Sequence, residues 1–237
     1  MPDPDQDEAP QGTARLGAWL IVVGTATFTV VWVMGLLTAS PAFSWHHSMI
    51  SDLGSHACVV RNGYRMCSQH AASFNLGLVV AGIAVATASW CVRRVWGRPL
   101  TFATTSLGAG LLLLGLVPSD VSHGVHMVGA VLTLPMTAAG VLISAEAASA
   151  PLPPGGVARR ARRRRVLHVR RSLGAVALVA CLDHLLGDSG AVIPRGVAEA
   201  VSVVAIVTAL LLEAWRFLSW RPRQGWQLPW RERAAPD

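Results

Sequence analysis

The sequence predicts an all-α protein, a bundle of six transmembrane helices with both termini in the cytoplasm. Three observations lead to this prediction: the composition, the number of long apolar segments and the placement of arginine. Of the 237 residues, 52% are hydrophobic and 14% are charged, and the mean hydropathy is +0.46. Soluble domains carry about 25% charged residues. The composition therefore favours a membrane protein.

Six apolar segments are long enough to cross a bilayer. A hydrocarbon core about 30 Å thick requires roughly 20 apolar residues in a helix. The predicted spans cover residues 16–37, 72–92, 100–117, 124–143, 173–193 and 197–215. The fifth span is the weakest because Asp183, His184 and Asp188 interrupt its apolar sequence.

The membrane domain is predicted to occupy residues 16–216, between two short cytoplasmic ends. Residues 1–15 are acidic and rich in Pro, a composition that favours disorder and does not fit the basic start of a signal peptide. Residues 217–237 are rich in Trp and Arg, and their tryptophans are typical of an interfacial belt.

The distribution of arginine predicts the orientation. The chain has no lysine, so all 20 basic residues are arginines, and its net charge is +7. Short cytoplasmic loops of membrane proteins collect positive charge. With the N-terminus inside, 17 of the 20 arginines fall on the cytoplasmic side. We interpret the arginine block at residues 159–171 as a topology anchor beside phospholipid headgroups, in preference to a nucleic-acid or anionic-lipid site.

This orientation collects the polar chemistry on the outer side. Seven of the eight histidines fall there, namely His46, His47, His56, His70, His123, His126 and His184. The carboxylates on the same side are Asp52, Asp120, Asp183, Asp188 and Glu199. They come from three stretches: the first outer loop, the hairpin between the third and fourth spans, and the outer end of the fifth span.

The first outer loop carries two polar features. Ser51 and Asp52 are residue types that cap helices, so the alternative to a functional role is that they cap a short helix that begins at Leu53. Cys58 and Cys67 lie nine residues apart, in a loop that the predicted orientation places on the outer, oxidising side of the membrane. Two alternatives stay open for them, a disulfide or two free thiols.

The hairpin between the third and fourth spans contains a possible metal site. A helix that begins at Asp120 would place Asp120, His123 and His126 on one face, because they follow an i, i+3, i+6 spacing. A carboxylate and two imidazoles on one face are able to bind zinc or to relay protons. The alternative is a capped helix start with exposed histidines.

The third stretch contains Asp183 and His184. At about 1.5 Å per helical residue, Asp183 is expected roughly 18 Å from the cytoplasmic edge of its span, in the outer half of the hydrocarbon layer. Ionisable groups there cost several kcal/mol and face the interior of a bundle. We therefore expect an outward-opening polar pocket with these two residues at its floor. The expected pocket is formed by Asp52, Asp120, His123, Asp183 and His184.

Four short motifs follow one another along the chain in the order expected for a known family. They are Ser-Met-Ile-Ser-Asp-Leu-Gly at 48–54, Phe-Asn-Leu-Gly at 74–77, Gly-Leu-Val-Pro at 115–118 with Asp120 and His123 following, and Pro-Arg-Gly-Val-Ala-Glu at 194–199. This series, spread over residues 16–216, resembles the prokaryotic multi-pass membrane family catalogued as domain of unknown function nine-nine-eight. The resemblance implies a six-helix fold but no activity. It also implies a shared site with Ser51, Asp52, Asn75, Asp120 and His123.

The sequence departs from that family's plainer pattern in its first outer loop. The departures are His46, His47, His56, His70 and the insertion between Cys58 and Cys67. They indicate either a specialised member of the family or additions to the loop that have no function of their own.

The acidic and histidine side chains beside an apolar bundle predict a membrane enzyme that acts on a lipid or isoprenoid-like molecule. In one form, a metal ion such as zinc activates water for hydrolysis. In the other, a carboxylic acid protonates an alkene or epoxide and starts a cyclisation. The candidate catalytic residues are Asp52, Asp120, His123, Asp183 and His184, the substrate-binding residues are Ser51 and Asn75, and the metal ligands are Asp120, His123 and His126.

Two other classes of protein remain open. One is a small-molecule transporter in which Asp183 and His184 form a proton-coupling pair. The other is a non-catalytic accessory protein whose polar cluster only fastens the helices together. The arginine-rich, lysine-free composition indicates a GC-rich bacterial genome, and membrane lipids are the expected partners rather than nucleic acid.

Overall fold

The computed structural model describes residues 9–39, 43–61, 64–144, 157–186 and 192–219. The helices are α1 (Ala9–Thr38), α2 (Ala71–Leu116), α3 (His123–Val131), α4 (Thr137–Ile143), α5 (Val157–Leu186) and α6 (Arg195–Leu218). A 3-10 helix covers Ile50–Gly54 and a π-helical turn covers Leu132–Met136. A short antiparallel hairpin pairs β1 (Val59–Arg61) with β2 (Tyr64–Met66).

The helices confirm the all-α membrane fold. Five described segments are long and apolar enough to cross a bilayer: Gly12–Thr38, Ala71–Val92, Gly97–Leu116, His123–Ile143 and Arg195–Leu218. The remaining helix of the bundle is α5, which packs between α4 and α6.

α5 extends beyond the predicted fifth span, 173–193, at its N-terminal end and ends before it at the other. The arginine-rich segment before it is helical, so α5 already begins at Val157. α5 ends at Leu186, and Val192 and Ile193 belong to the turn before α6. Asp188 and residues 1–8 and 220–237 lie outside the described residues. Residues 9–15, predicted as part of a disordered N-terminus, are helical and belong to α1.

α2 contains two spans that are joined without a loop. Its helical geometry breaks at Gly97, whose φ of 73° lies in the left-handed region that glycine adopts without steric cost. Beyond this break the second half packs antiparallel to the first, with the hydroxyl of Thr105 donating to Oγ of Ser89 at 3.1 Å. The second and third predicted spans therefore form one helical hairpin.

The fourth span consists of α3, the π-helical turn and α4. Pro135 lies in the turn and has no backbone N–H, which interrupts the regular helical hydrogen bonding. The hydroxyl of Thr137 donates to the carbonyl oxygen of Leu132 at 2.8 Å and so satisfies one of the main-chain acceptors in the turn. The span continues through the distortion.

The segment between α1 and α2 folds over one end of the bundle. We call this segment, residues 43–61 and 64–70, the cap. Ile50 and Leu53 of its 3-10 helix are buried and join the hydrophobic core, beside Phe74 of α2. The cap is therefore packed into the bundle, and its polar groups are held against the ends of the helices.

Candidate functional site at the cap

Asp52 organises the 3-10 helix of the cap. Its side chain is 1% exposed, and its Oδ2 accepts a hydrogen bond from the backbone N–H of Met49 at 2.8 Å. The helix begins at Ile50, so the predicted start at Leu53 was wrong. The physical reason is that the carboxylate of Asp52 reaches back three residues and stabilises an earlier start.

Glu199 of α6 binds the neighbouring peptide group. Its Oε2 accepts the backbone N–H of Ile50 at 2.6 Å, and its side chain is buried. Because Met49 and Ile50 are consecutive, Asp52 and Glu199 form a pair of buried carboxylates at one peptide segment; we call them the acid pair. Sequence reasoning placed Glu199 on this face but did not select it. Its position in the Pro-Arg-Gly-Val-Ala-Glu motif was the available signal.

Asp183 and His184 connect the end of α5 to the start of α6. The Asp183 carboxylate accepts the backbone N–H groups of Val192 at 2.7 Å and of Ile193 at 3.0 Å. Nδ1 of His184 lies 3.3 Å from the carbonyl oxygen of Arg195. Both side chains are partly exposed. The structure thus places their bonds at the turn into α6, and the bond of His184 lies one helical turn before Glu199.

The predicted convergence of Asp120, His123 and His126 was wrong. Two backbone N–H groups, those of Val121 and Ser122, bind the carbonyl oxygen of Pro118, so residues 119–121 form a turn. The helix consequently begins only at His123. A turn does not continue the i, i+3 spacing of a helix.

The three side chains of that predicted site go to different places. Asp120 is exposed, and its Oδ2 accepts the backbone N–H of Ala57 in the cap at 2.8 Å. His123 is exposed, whereas His126 is buried with Nδ1 3.2 Å from the carbonyl oxygen of Val117. Within the described ranges, no three His, Cys, Asp or Glu side chains are placed to hold a metal ion. These residues do not fit a zinc site.

Asn75 holds the cap from α2. Its Nδ2 donates to the carbonyl oxygen of Gly54 at 2.8 Å, and its buried Oδ1 packs so closely on Gly54 that a Cβ there would overlap it. Ser68 and Ser55 add hydrogen bonds to the carbonyl of Leu53 and to the hydroxyl of Ser119. Ser51, the other predicted substrate-binding residue, is partly exposed. In this structure Asn75 positions the cap.

Cys58 and Cys67 form a disulfide, one of the two alternatives that the sequence left open. Their Cα atoms are 4.3 Å apart, and the bond closes the β1–β2 hairpin. His46, His56 and His70 of the cap are exposed. A disulfide is typical of an oxidising compartment.

An apolar groove of about 560 Å³ lies between α5 and α6. Trp45 of the cap and Val197 form its end near the cap, and Thr208 lies towards its other end. Ala200 also lines the groove, so the groove passes beside the helical turn that carries Glu199. A separate cavity in the centre of the bundle measures about 20 Å³, which is room for a single water-sized molecule.

A second buried polar cluster lies at the opposite end of the bundle. Arg170 and Glu213 are both fully buried, with Nη1 of Arg170 2.8 Å from Oε2 of Glu213. Nη2 of Arg170 donates to the carbonyl oxygen of Ser144 at 2.7 Å, and Arg216 pairs with the other oxygen of Glu213. The cluster joins α4, α5 and α6. Sequence reasoning counted Arg170 among the topology arginines and missed this pair.

The fold defines a multi-pass membrane protein with a folded polar cap at one end. The chain belongs to the family described as "Protein of unknown function (DUF998)", whose model matches residues 22–216. This match confirms the resemblance and contains all four motifs that suggested it. No curated protein and no solved structure matches the chain.

Proposed function

We propose that this protein is a bacterial cell-membrane enzyme that acts on a lipid or isoprenoid-like molecule. One observation carries the proposal: an apolar groove ends at Trp45 and Val197, next to the helical turn whose Glu199 forms a buried acid pair with Asp52. In this arrangement the apolar chain of the substrate lies in the groove, and its reacting end lies at the cap.

The groove supports the substrate class. Its volume of about 560 Å³ falls in the range of about 300–1,000 Å³ that is usual for small-molecule sites. Its wall consists almost entirely of apolar side chains, and Val204 in that wall is 52% exposed on the protein surface. A molecule already dissolved in the bilayer is therefore able to enter from the side.

The acid pair supports proton transfer as the chemistry. Asp52 and Glu199 are shielded from water, as a general acid for an alkene or epoxide must be, since bulk water would intercept the product cation. The geometry favours this form over metal-assisted hydrolysis because the candidate ligands Asp120, His123 and His126 do not converge. The proposed proton donors are Asp52 and Glu199, with His184 beside the start of α6.

A second candidate function is a non-catalytic accessory protein. The specific observation in its favour is that every described carboxylate at this end accepts a main-chain N–H bond. These carboxylates are Asp52, Asp120, Asp183 and Glu199. Such bonds position loops, so the same groups are equally suited to fastening the cap.

Glu199→Gln separates the two candidates. The amide oxygen of Gln still accepts the N–H of Ile50, but the side chain can no longer donate an acidic proton. Lipids from cells that produce the wild type, Glu199→Gln or no protein are compared by liquid chromatography and mass spectrometry. Asp120→Asn, at an exposed carboxylate with a similar main-chain bond, is the matched control.

For an enzyme, the wild type and Asp120→Asn shift a lipid in mass or elution, and Glu199→Gln lowers that conversion by about 100-fold or more at equal protein level. If Glu199→Gln converted the lipid at the wild-type rate, Glu199 would not be the acid. Identical lipids with and without the wild-type protein would refute the enzyme proposal and favour the accessory role.

A further inference from the structure

Trp90 and Arg93 form a stacked pair at the end of the bundle opposite the cap. The guanidinium carbon of Arg93 lies 3.3 Å from the centroid of the Trp90 ring. The Trp90 side chain is 65% exposed, and both Arg93 and its neighbour Arg94 are exposed. The stack therefore lies on the exposed face of α2, near its break at Gly97.

The spacing of these residues collects them on one face of α2. Positions 90, 93 and 94 follow the i, i+3, i+4 pattern of neighbours on a helix surface. A guanidinium that stacks through its flat face keeps the N–H groups of its edge available, and these match two phosphate oxygens at once. Stacking also fixes the long arginine side chain, so less freedom is lost when an anion binds.

The surface around the stack is positive and lacks neutralising acids in the described ranges. Further exposed arginines at this end are Arg15, Arg98, Arg165 and Arg171. The described carboxylate at this end is Glu213, and its two oxygens are already engaged by Arg170 and Arg216. No described carboxylate therefore competes with an external anion for Arg93 or Arg94.

We propose that Trp90, Arg93 and Arg94 bind the phosphate of an anionic phospholipid in the adjacent leaflet. A lipid is the better occupant than free phosphate because the same helix face continues with apolar surface. Ile83, two turns from Trp90 towards the other end of α2, is 54% exposed. The headgroup lies on the two arginines, the glycerol region contacts the tryptophan ring, and an acyl chain follows the face past Ile83.

The test uses the purified full-length protein in detergent and native mass spectrometry. Phosphatidylglycerol and phosphatidylcholine with identical acyl chains are added in turn, and bound lipid is counted for the wild type, Arg93→Gln, Arg93→Lys and Trp90→Leu. Arg65→Gln is the matched control because Arg65 is an exposed arginine on the cap hairpin, at the other end of the protein.

We expect the wild type and Arg65→Gln to retain phosphatidylglycerol in preference to phosphatidylcholine. Arg93→Gln should weaken that binding about fivefold, the effect of roughly one arginine beside an anionic membrane surface. Arg93→Lys and Trp90→Leu should fall between these values, because each keeps the charge but loses the stack. Equal binding of the two lipids, equal losses for Arg93→Gln and Arg65→Gln, or displacement of the lipid by millimolar inorganic phosphate would overturn the proposal.

Discussion

The carboxylates of Asp52 and Glu199 accept hydrogen bonds from the backbone N–H groups of two consecutive residues, Met49 and Ile50. Asp52 belongs to the 3-10 helix itself, whereas Glu199 belongs to α6. Short 3-10 helices have poor hydrogen-bond geometry and little stability of their own. The fold of the cap and its attachment to the bundle therefore depend on the same peptide segment.

Glu199→Ala should destabilise the protein by about 1–3 kcal/mol, because the N–H of Ile50 is left buried without its acceptor. Glu199→Gln should cost less, since its amide oxygen is still an acceptor. Unfolding of the purified protein in detergent measures both variants. Asp120→Ala, at an exposed side chain, is the control and should cost under about 1 kcal/mol. An equal loss for Glu199→Ala and Asp120→Ala would contradict the importance of burial at Glu199.

Gly54→Ala should detach the cap from α2. The added methyl group overlaps Oδ1 of Asn75, whose amide must then move and lose its bond to the Gly54 carbonyl. Overpacking of this kind costs about 1–3 kcal/mol. Gly124→Ala is the comparison because a Cβ at Gly124 meets nothing within 4 Å. Protease digestion of the two variants should cut the cap only in Gly54→Ala, and equal resistance would count against the Asn75 contact.

The disulfide gives a test of the orientation. On intact cells a membrane-impermeant maleimide should label Cys58 and Cys67 only after treatment with an impermeant reductant, because the cap is predicted to lie on the outer, oxidising side. Labelling only after the cells are opened would reverse the predicted topology.

Cys58→Ser should also lower the stability by about 2–3 kcal/mol, the usual contribution of a bond that closes a short loop. The measurement is unfolding in detergent without reductant. Cys91→Ser, at a free and partly exposed cysteine, should leave the stability nearly unchanged.

Arg170→Met should be among the most destabilising single substitutions at the end opposite the cap. Removing one partner of a buried ion pair costs about 3–5 kcal/mol, and we expect the lower end here because Arg216 still pairs with Glu213. Arg171→Met, at the neighbouring exposed arginine, should cost much less. The double variant Arg170→Met with Glu213→Leu should recover part of the loss. If it is less stable than Arg170→Met alone, the loss does not come from the Glu213 oxygen that Arg170 leaves without its partner.

The sequence was sufficient for the membrane class and for the order of the helices. Hydropathy summed over a window depends on many residues, so a single polar group does not obscure a span. The sequence was not sufficient to predict which individual arginines are buried. Arg170 is fully buried and Arg171 is exposed, because consecutive residues of a helix point about 100° apart. Which of the two faces the bundle depends on how α5 packs on α6.

The site was predicted less well than the fold because side chains meet through tertiary packing. Asp52 and Asn75 both bond to the segment at residues 48–54, and their catalytic and substrate-binding roles stay predictions. Glu199, which was not selected, bonds to the same segment, whereas Asp120 bonds to Ala57. The turn at Pro118 moved Asp120 away from its helix and towards Ala57. The i, i+3, i+6 spacing assumed a continuous helix from Asp120 and therefore could not account for that turn.

At Gly196, the hydrogen in place of a side chain lets the first turn of α6 lie directly against the carbonyl oxygens of Ser48 and Trp45. That close approach leaves no room for a side chain between the cap and the first turn of α6. Under the proposed function, a substrate reaches the groove beside it by lateral diffusion within the membrane. The rate at which a ligand meets this protein would therefore follow its concentration in the lipid phase, and an increase in its water solubility would slow the encounter.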